Sequence, residues 1–124
     1  MSKALVVDDS RAVRMILARS LRELGYEIGE AGDGKEALAA LEKEPGRYTL
    51  VLVDWNMPEM NGLDFVKNFR AIPRFRAVPL MMVTTETEVD QMIKALEAGA
   101  NEYVMKPFTD EILSDKLRMI GVLR

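Results

Sequence analysis

The sequence predicts an α/β protein in which helices cover both faces of a five-stranded parallel sheet. Three observations carry this. Short apolar runs alternate with stretches of helical period along the whole chain. Two runs, residues 50–53 and 80–83, are apolar at every position, as in strands buried on both faces. Every gap between runs holds a helical stretch, as parallel pairing requires. The 124 residues are expected to form one domain, with no internal repeat or low-complexity linker.

Ala4, Leu5, Val6 and Val7 form the first strand, and Asp8-Asp9 follows it. From Ser10 the period changes: Val13, Ile16, Leu17, Leu21 and Leu24 fall on one helix face, and Gly25 ends that helix as a C′ residue. Residues 26–31 make a weaker strand, and Glu27 and Glu30 within it suit a sheet edge. Gly32-Asp33-Gly34 turns the chain into a short helix with Ala37, Leu38 and Leu41, closed by Glu44-Pro45-Gly46. Residues 50–53 follow as the third strand. Asn61 and Asp64 offer a cap to a third helix carrying Leu63, Val66 and Phe69. The segment 72–77, with Pro73, Arg74, Phe75 and Arg76, reads as a solvated loop.

After the fourth strand, residues 80–83, Thr87 with Asp90 fits an acidic capping box. It opens a helix with Val89, Met92, Ile93 and Leu96 on one face, closed by Ala98-Gly99-Ala100. Residues 102–105 are the fifth strand. Thr109, Asp110 and Glu111 open a last helix with Ile112, Leu113, Leu117 and Ile120 inward. An edge-like second strand, with the first, third and fourth central, favours the order 2-1-3-4-5, a flavodoxin-like three-layer sandwich. In that known order ligands sit at the carboxyl ends of the strands, where the order reverses between the first and third.

Composition narrows the chemistry. At 48% apolar and 30% charged the chain is ordinary globular protein. It has no cysteine, which excludes disulfide frameworks, zinc ribbons and thiol nucleophiles. It has no histidine, which excludes Ser-His-Asp catalysis and most catalytic zinc sites. Seventeen basic residues against 20 acidic ones, a formal charge of −3, lack the basic excess of nucleic-acid modules. No apolar stretch is long enough to span a bilayer and no signal-peptide pattern opens the chain, so a cytoplasmic protein is expected.

The residues that follow the central strands are Asp8 and Asp9, Asp54, Thr84 and Lys106. Each alone has an ordinary reading as a loop residue or cap. Together they place three carboxylates, a hydroxyl and an ammonium at one rim. At about 5 Å and an effective dielectric of ~20, each carboxylate pair repels by roughly 3 kcal/mol. A hard divalent cation offsets that, and an oxygen-only, partly hydrated site is what Mg²⁺ prefers. A metal-bound carboxylate beside a Lys and a Thr suggests phosphoryl chemistry, with Asp54 the best nucleophile for an acyl phosphate. Competing motifs fail. Asp54-Trp55-Asn56-Met57-Pro58 breaks the EF-hand pattern at Pro58. In the D-x-D pattern of haloacid-dehalogenase-type phosphatases the second acid is here Asn56, which cannot protonate a leaving group. Neither G-x-G-x-x-G nor a Walker A sequence is present. The nine methionines read as core filler, and Trp55 and Tyr103 as half-buried aromatics.

The chain resembles the receiver domain of two-component response regulators over essentially its whole length. The landmarks occur in order: Val6-Val7-Asp8-Asp9-Ser10, Asp54-Trp55-Asn56-Met57-Pro58 with Asn61-Gly62, Val83-Thr84, Gly99-Ala100 and Lys106-Pro107-Phe108. Within the family the nearest resemblance is to stand-alone chemotaxis regulators. The resemblance implies that Asp54 is the phosphoacceptor and that Asp9 and Asp54 ligate Mg²⁺ directly, with Asp8 acting largely through water. It implies a further ligand in the main-chain carbonyl of Asn56, and a Lys106 that pairs with the phosphoryl group. Thr84 swings inward to bond that group, Tyr103 follows, and Lys106-Pro107 is a cis peptide. Asn56 and Glu86 occupy positions that influence hydrolysis, which implies a phosphoform lasting seconds to minutes. The resemblance also implies that the donor is the phosphohistidine of a sensor kinase and that the receiver catalyses only its own phosphorylation and dephosphorylation. Thr85 departs from the small Ala usual in the chemotaxis members and is expected to narrow access to Asp54.

By the same resemblance, phosphorylation reshapes the face running from the fourth helix through the fifth strand to the fifth helix, with Thr87, Met92, Tyr103, Met105, Phe108 and Lys116 as contact residues. The expected output is protein binding by a stand-alone domain, 1–124, without an output domain and without direct DNA or membrane contact, as a monomer or weak dimer. Three readings follow: a shuttle that binds a flagellar motor switch or pilus component, a relay receiver that passes phosphate to a histidine phosphotransfer protein, and a dehalogenase-type phosphatase. Asp54-Trp55-Asn56-Met57-Pro58 favours the first.

Overall fold

A computed structural model describes residues 2–85 and 88–122. In chain order the elements are β1 (Lys3–Val7), α1 (Arg11–Glu23), β2 (Glu27–Ala31), α2 (Gly34–Lys43), β3 (Tyr48–Val53), α3 (Gly62–Ala71), a 3-10 turn (Pro73–Phe75), β4 (Leu80–Thr84), α4 (Val89–Ala98), β5 (Glu102–Met105) and α5 (Asp110–Met119). The strands form one parallel sheet in the order β2-β1-β3-β4-β5, as the sequence predicts.

Strand alternation builds the layers. Leu5, Val7, Val51, Val53, Leu80 and Met82 face a core shared with Ala37 and Leu41 of α2, Phe65, Val66 and Phe69 of α3, and Ala95 of α4. Their neighbours Ala4, Val6, Leu50, Leu52, Met81 and Val83 face a second core, closed by Leu17 and Leu21 of α1 and Leu113 and Leu117 of α5. The continuous apolar runs of the central strands therefore serve two cores at once. Four helices start on side-chain caps: Ser10, Asp33, Asn61 and Thr109 accept from the backbone N–H three residues on. Gly25 takes φ +98° just after α1, the C′ role expected of it.

The structure differs from the sequence reading at several places. Ile16 is 58% exposed, because a helix lying on a sheet buries a stripe narrower than the apolar arc of α1. On α4 the apolar face is turned outward: Val89, Ile93 and Leu96 are exposed, while the small Ala95 is the buried contact and Met92 is half-buried. Ile112 of α5 is also exposed. The cap of α4 is Glu88, with no side-chain cap bond; Thr87 lies outside the described residues. The segment read as a solvated loop instead carries Phe75 into the core at 3% exposure. It stacks on Phe69, which stacks on Phe65. Arg70 holds this turn by donating to the carbonyls of Phe75, Arg76 and Gly99. No helix among the described residues is long and apolar enough to cross a membrane.

Candidate functional site

Register decides which strand ends meet. Val7 pairs with Val53, so Asp8 and Asp54 leave adjacent strands side by side. Thr84 pairs with Met105, so Lys106 follows directly on the next strand. The ladder continues one step past the strands, with Asp54 N donating to Val7 O at 2.9 Å and Lys106 N to Thr84 O at 2.9 Å. Asp54 and Lys106 are thus anchored by backbone already committed to the sheet.

The β3–α3 connection is drawn tight over this rim. Gly62 N donates to Trp55 O at 2.8 Å. A Cβ at Gly62 would lie 2.2 Å from the Asp54 carbonyl oxygen and 2.8 Å from Trp55 Cα. Only glycine permits that approach, and it fixes the backbone of Asp54 from the helix side.

Carboxylate oxygens of Asp8, Asp9 and Asp54 lie within 4.8 Å of one another. Asp8 and Asp54 are buried and Asp9 is exposed. Lys106 Nζ is 2.7 Å from Asp8 Oδ2 and 3.8 Å from Asp54 Oδ2. Ser10 N donates to Asp8 Oδ1 at 2.8 Å, and Trp55 N to Asp54 Oδ1 at 2.8 Å. Thr84, wholly buried, hydrogen-bonds the Asp54 carboxylate. Burial pushes the Asp54 carboxyl up from its ordinary value. Thr84, Lys106 and the Trp55 N–H pull it down, and the Asp8 charge adds to the rise.

Three carboxylates against one ammonium leave the cluster short of positive charge. Its donors are oxygen only, and the exposed Asp9 opens it to water. That set fits a hard, partly hydrated cation such as Mg²⁺.

The structure brings Asp8, Asp9, Asp54, Thr84 and Lys106 together at one rim. The Lys106–Pro107 peptide is cis, as the resemblance implies. Asn56 has an exposed side chain beside the rim. Glu86, like Thr87, lies outside the described residues. Thr85 follows Thr84 at the end of β4. It is exposed and, with Val13, Ile16, Lys106, Pro107 and Phe108, lines an apolar cavity of about 370 Å³. Trp55 and Tyr103 are buried at 8% and 5% exposure, deeper than the half-burial expected. Tyr103 already points into the core on the α4 side.

The expected contact residues are not one open face. Met92 and Tyr103 pack against one core and Phe108 against the other. Met105 is 46% exposed, and Lys116 pairs with Glu102 at 3.4 Å. The open apolar surface there consists of Val89, Ile93, Leu96, Met105 and Ile112. Sequence reasoning also assigned nothing to Arg14, which donates from Nη1 to the Asp8 carbonyl. Its one visible signal is its place a helical turn after the Ser10 cap.

Residues 4–118 match the family described as response regulator receiver domain. The chain is 48% identical over 119 residues to chemotaxis protein CheY1 of Helicobacter pylori, covering 95% of each. It is 43% identical over 119 residues to chemotaxis protein CheY of Pseudomonas aeruginosa, covering 95% of this chain and 94% of the relative. Among solved structures, chemotaxis protein CheY4 of Vibrio cholerae superposes with a TM-score of 0.89 at 38% identity, covering 97% of this chain and 98% of that one.

Proposed function

This chain belongs to the response regulator receiver domain family, closely related to the CheY chemotaxis proteins, and from that premise we propose that it accepts a phosphoryl group on Asp54 from a sensor histidine kinase and signals by protein binding in chemotaxis. Proteins of this kind are signalling domains; we infer that the only reactions this one catalyses are its own phosphorylation and dephosphorylation. The observation that carries the reading is the cluster itself: three carboxylates within 4.8 Å, with Lys106 2.7 Å from one of them and Thr84 buried against Asp54.

The chemistry follows from those positions. An Asp54 carboxylate oxygen attacks phosphorus, and the bond from phosphorus to the donor's imidazole nitrogen breaks, its electron pair leaving with the donor. Asp8, Asp9, Asp54 and the main-chain carbonyl of Asn56 are the groups proposed to hold Mg²⁺. When bound, the ion supplies neutralising charge for the carboxylates and the phosphoryl oxygens. Lys106 shifts its pairing toward the new phosphoryl group, and the Thr84 hydroxyl, already against Asp54, donates to one of its oxygens. Asn56 and Glu86 are proposed to tune hydrolysis. The added charge of roughly −1.5 to −2 biases a two-state equilibrium through Thr84 and Tyr103. The output surface is the region of α4, β5 and α5. Its exposed apolar stripe supports contact with a protein partner, a flagellar motor switch or pilus component.

The test is intact mass after incubation with acetyl phosphate, with and without Mg²⁺, for wild type and Asp54→Asn. One added phosphoryl group is expected in wild type with Mg²⁺ and none in Asp54→Asn. Addition to both proteins would place the acceptor elsewhere. Transfer of the label to a second protein's histidine would favour a relay over a shuttle.

A further inference from the structure

Asp8 is held at four points, one of them its own N–H, which donates to Ala31 O at 3.1 Å. Ser10 N and Lys106 Nζ fix its two carboxylate oxygens at 2.8 and 2.7 Å. Arg14 Nη1 fixes its main-chain carbonyl at 2.5 Å. Asp9 is the opposite case. Its carboxylate is exposed and has no hydrogen-bond or ion-pair partner among the described residues. Where that carboxylate points therefore depends on its backbone. The carbonyl that Arg14 grips belongs to the peptide plane joining Asp8 to Asp9, and that plane is rigid. A donor locked onto its oxygen limits rotation of the plane and so limits the direction in which the Asp9 side chain leaves the chain.

Arg14 is itself oriented. Its Nε donates to Glu30 Oε1 of β2 at 3.1 Å, and its side chain is only 18% exposed. The guanidinium thus ties α1 and the sheet edge to the loop that carries Asp8 and Asp9. A bare cation at this place would oppose a metal ion. Glu30 neutralises it, which leaves the geometric grip without the repulsion. This also accounts for a glutamate whose placement in the edge strand the receiver chemistry does not use.

We propose that Arg14, oriented by Glu30, is a positioning residue that sets the Asp8–Asp9 peptide for divalent-cation binding; the proposal rests on the Mg²⁺ site of the preceding section. Contacts one step removed from a metal commonly change its affinity by about 10-fold or more when deleted. Here the sign is diagnostic. Removing a positive charge near three carboxylates should tighten Mg²⁺ binding if charge were all that Arg14 contributed. Removing a positioning contact should weaken it.

The experiment is Mg²⁺ titration by calorimetry, and by the emission of Trp55, on wild type, Arg14→Ala, Arg14→Lys, Glu30→Gln and Asp9→Asn. Thermal unfolding in EDTA checks that each variant is folded. Arg14→Ala is expected to weaken Mg²⁺ binding about 10-fold. Arg14→Lys, which keeps the charge but not the two-ended fork, is expected to weaken it as well. Glu30→Gln, which frees the Arg14 charge and its orientation, is expected to weaken it to a smaller degree. If Arg14→Ala fails to fold, Arg14→Lys and Glu30→Gln decide. Binding as tight as wild type, or tighter, in the folded Arg14 variants would falsify the proposal. If wild type itself binds no Mg²⁺, or binds it equally well with Asp9→Asn, the metal site fails first and the inference falls with it.

Discussion

Asp54, the proposed phosphoacceptor, is set in a place that disfavours its own charge. Burial raises its pKa, and Thr84, Lys106 and a backbone N–H only partly compensate. In the folded, metal-free protein Asp54 therefore keeps its proton to higher pH than in the unfolded chain, where the ordinary value is 3.8. Stability associated with that proton is complete below 3.8 and is lost as pH rises through the folded value. In EDTA, wild type should lose stability across that window while Asp54→Asn should not, as read by urea midpoints at stepped pH. An Asn variant with the wild-type slope would locate the titration elsewhere. Gly62 has the opposite character, being uncharged and sterically indispensable. Gly62→Ala would force its Cβ against the Asp54 carbonyl, a clash expected to cost about 1–3 kcal/mol and visible in the same urea experiment.

Elements differ in what their apolar residues are for. In α3 and the turn after it, Phe65, Phe69 and Phe75 stack in sequence, with Arg70 over Phe69 and bonded to the turn's carbonyls. Phe75→Ala should destabilise the fold by about 3 kcal/mol, since it empties a buried aromatic site. In α4 the larger apolar residues lie outside, at Val89, Ile93 and Leu96, and Ala95 makes the core contact. Ile93→Ala should change unfolding free energy by less than about 0.5 kcal/mol. Its measurable effect should fall on phosphorylation-dependent partner binding. A large stability loss at Ile93 would mean that α4 buries this face in solution.

At the scale of the whole molecule, one rim is shared by the ends of β1, β3, β4 and β5, so ligand binding and folding are linked. A cation that occupies the acidic cluster binds the folded chain and not the unfolded one. At ten times its dissociation constant it should add about 1.4 kcal/mol of stability. That corresponds to a rise of about 5 °C in the melting temperature for a domain of this size. Asp9→Asn and Asp54→Asn should each abolish most of the rise. A Mg²⁺-dependent rise that survives both substitutions would point to a different cation site.

Strand order, the two-core sandwich and the five rim residues were legible in the residues alone. Runs of apolar, β-branched residues fix which strands are buried on both faces, and parallel pairing then brings their carboxyl ends to one edge. Asp8, Asp9, Asp54, Thr84 and Lys106 needed only to be the residues next in line. What periodicity does not contain is the direction in which an apolar face turns. The same helical spacing describes Leu17 and Leu21, which are buried, and Ile93 and Leu96, which are not. The difference is set by how closely each helix approaches the sheet, and the small Ala95 lets α4 make its core contact through a residue that carries little hydropathic signal. Contacts between residues far apart in the chain were equally invisible. Phe75 meets Phe69 where the 3-10 turn, with Arg70 bonded to its carbonyls, folds back on α3, and Arg14 meets the Asp8 carbonyl and Glu30 only once α1 has packed beside β1 and β2. Local chemistry marked the rim residues; packing across the sheet decided how firmly each is held.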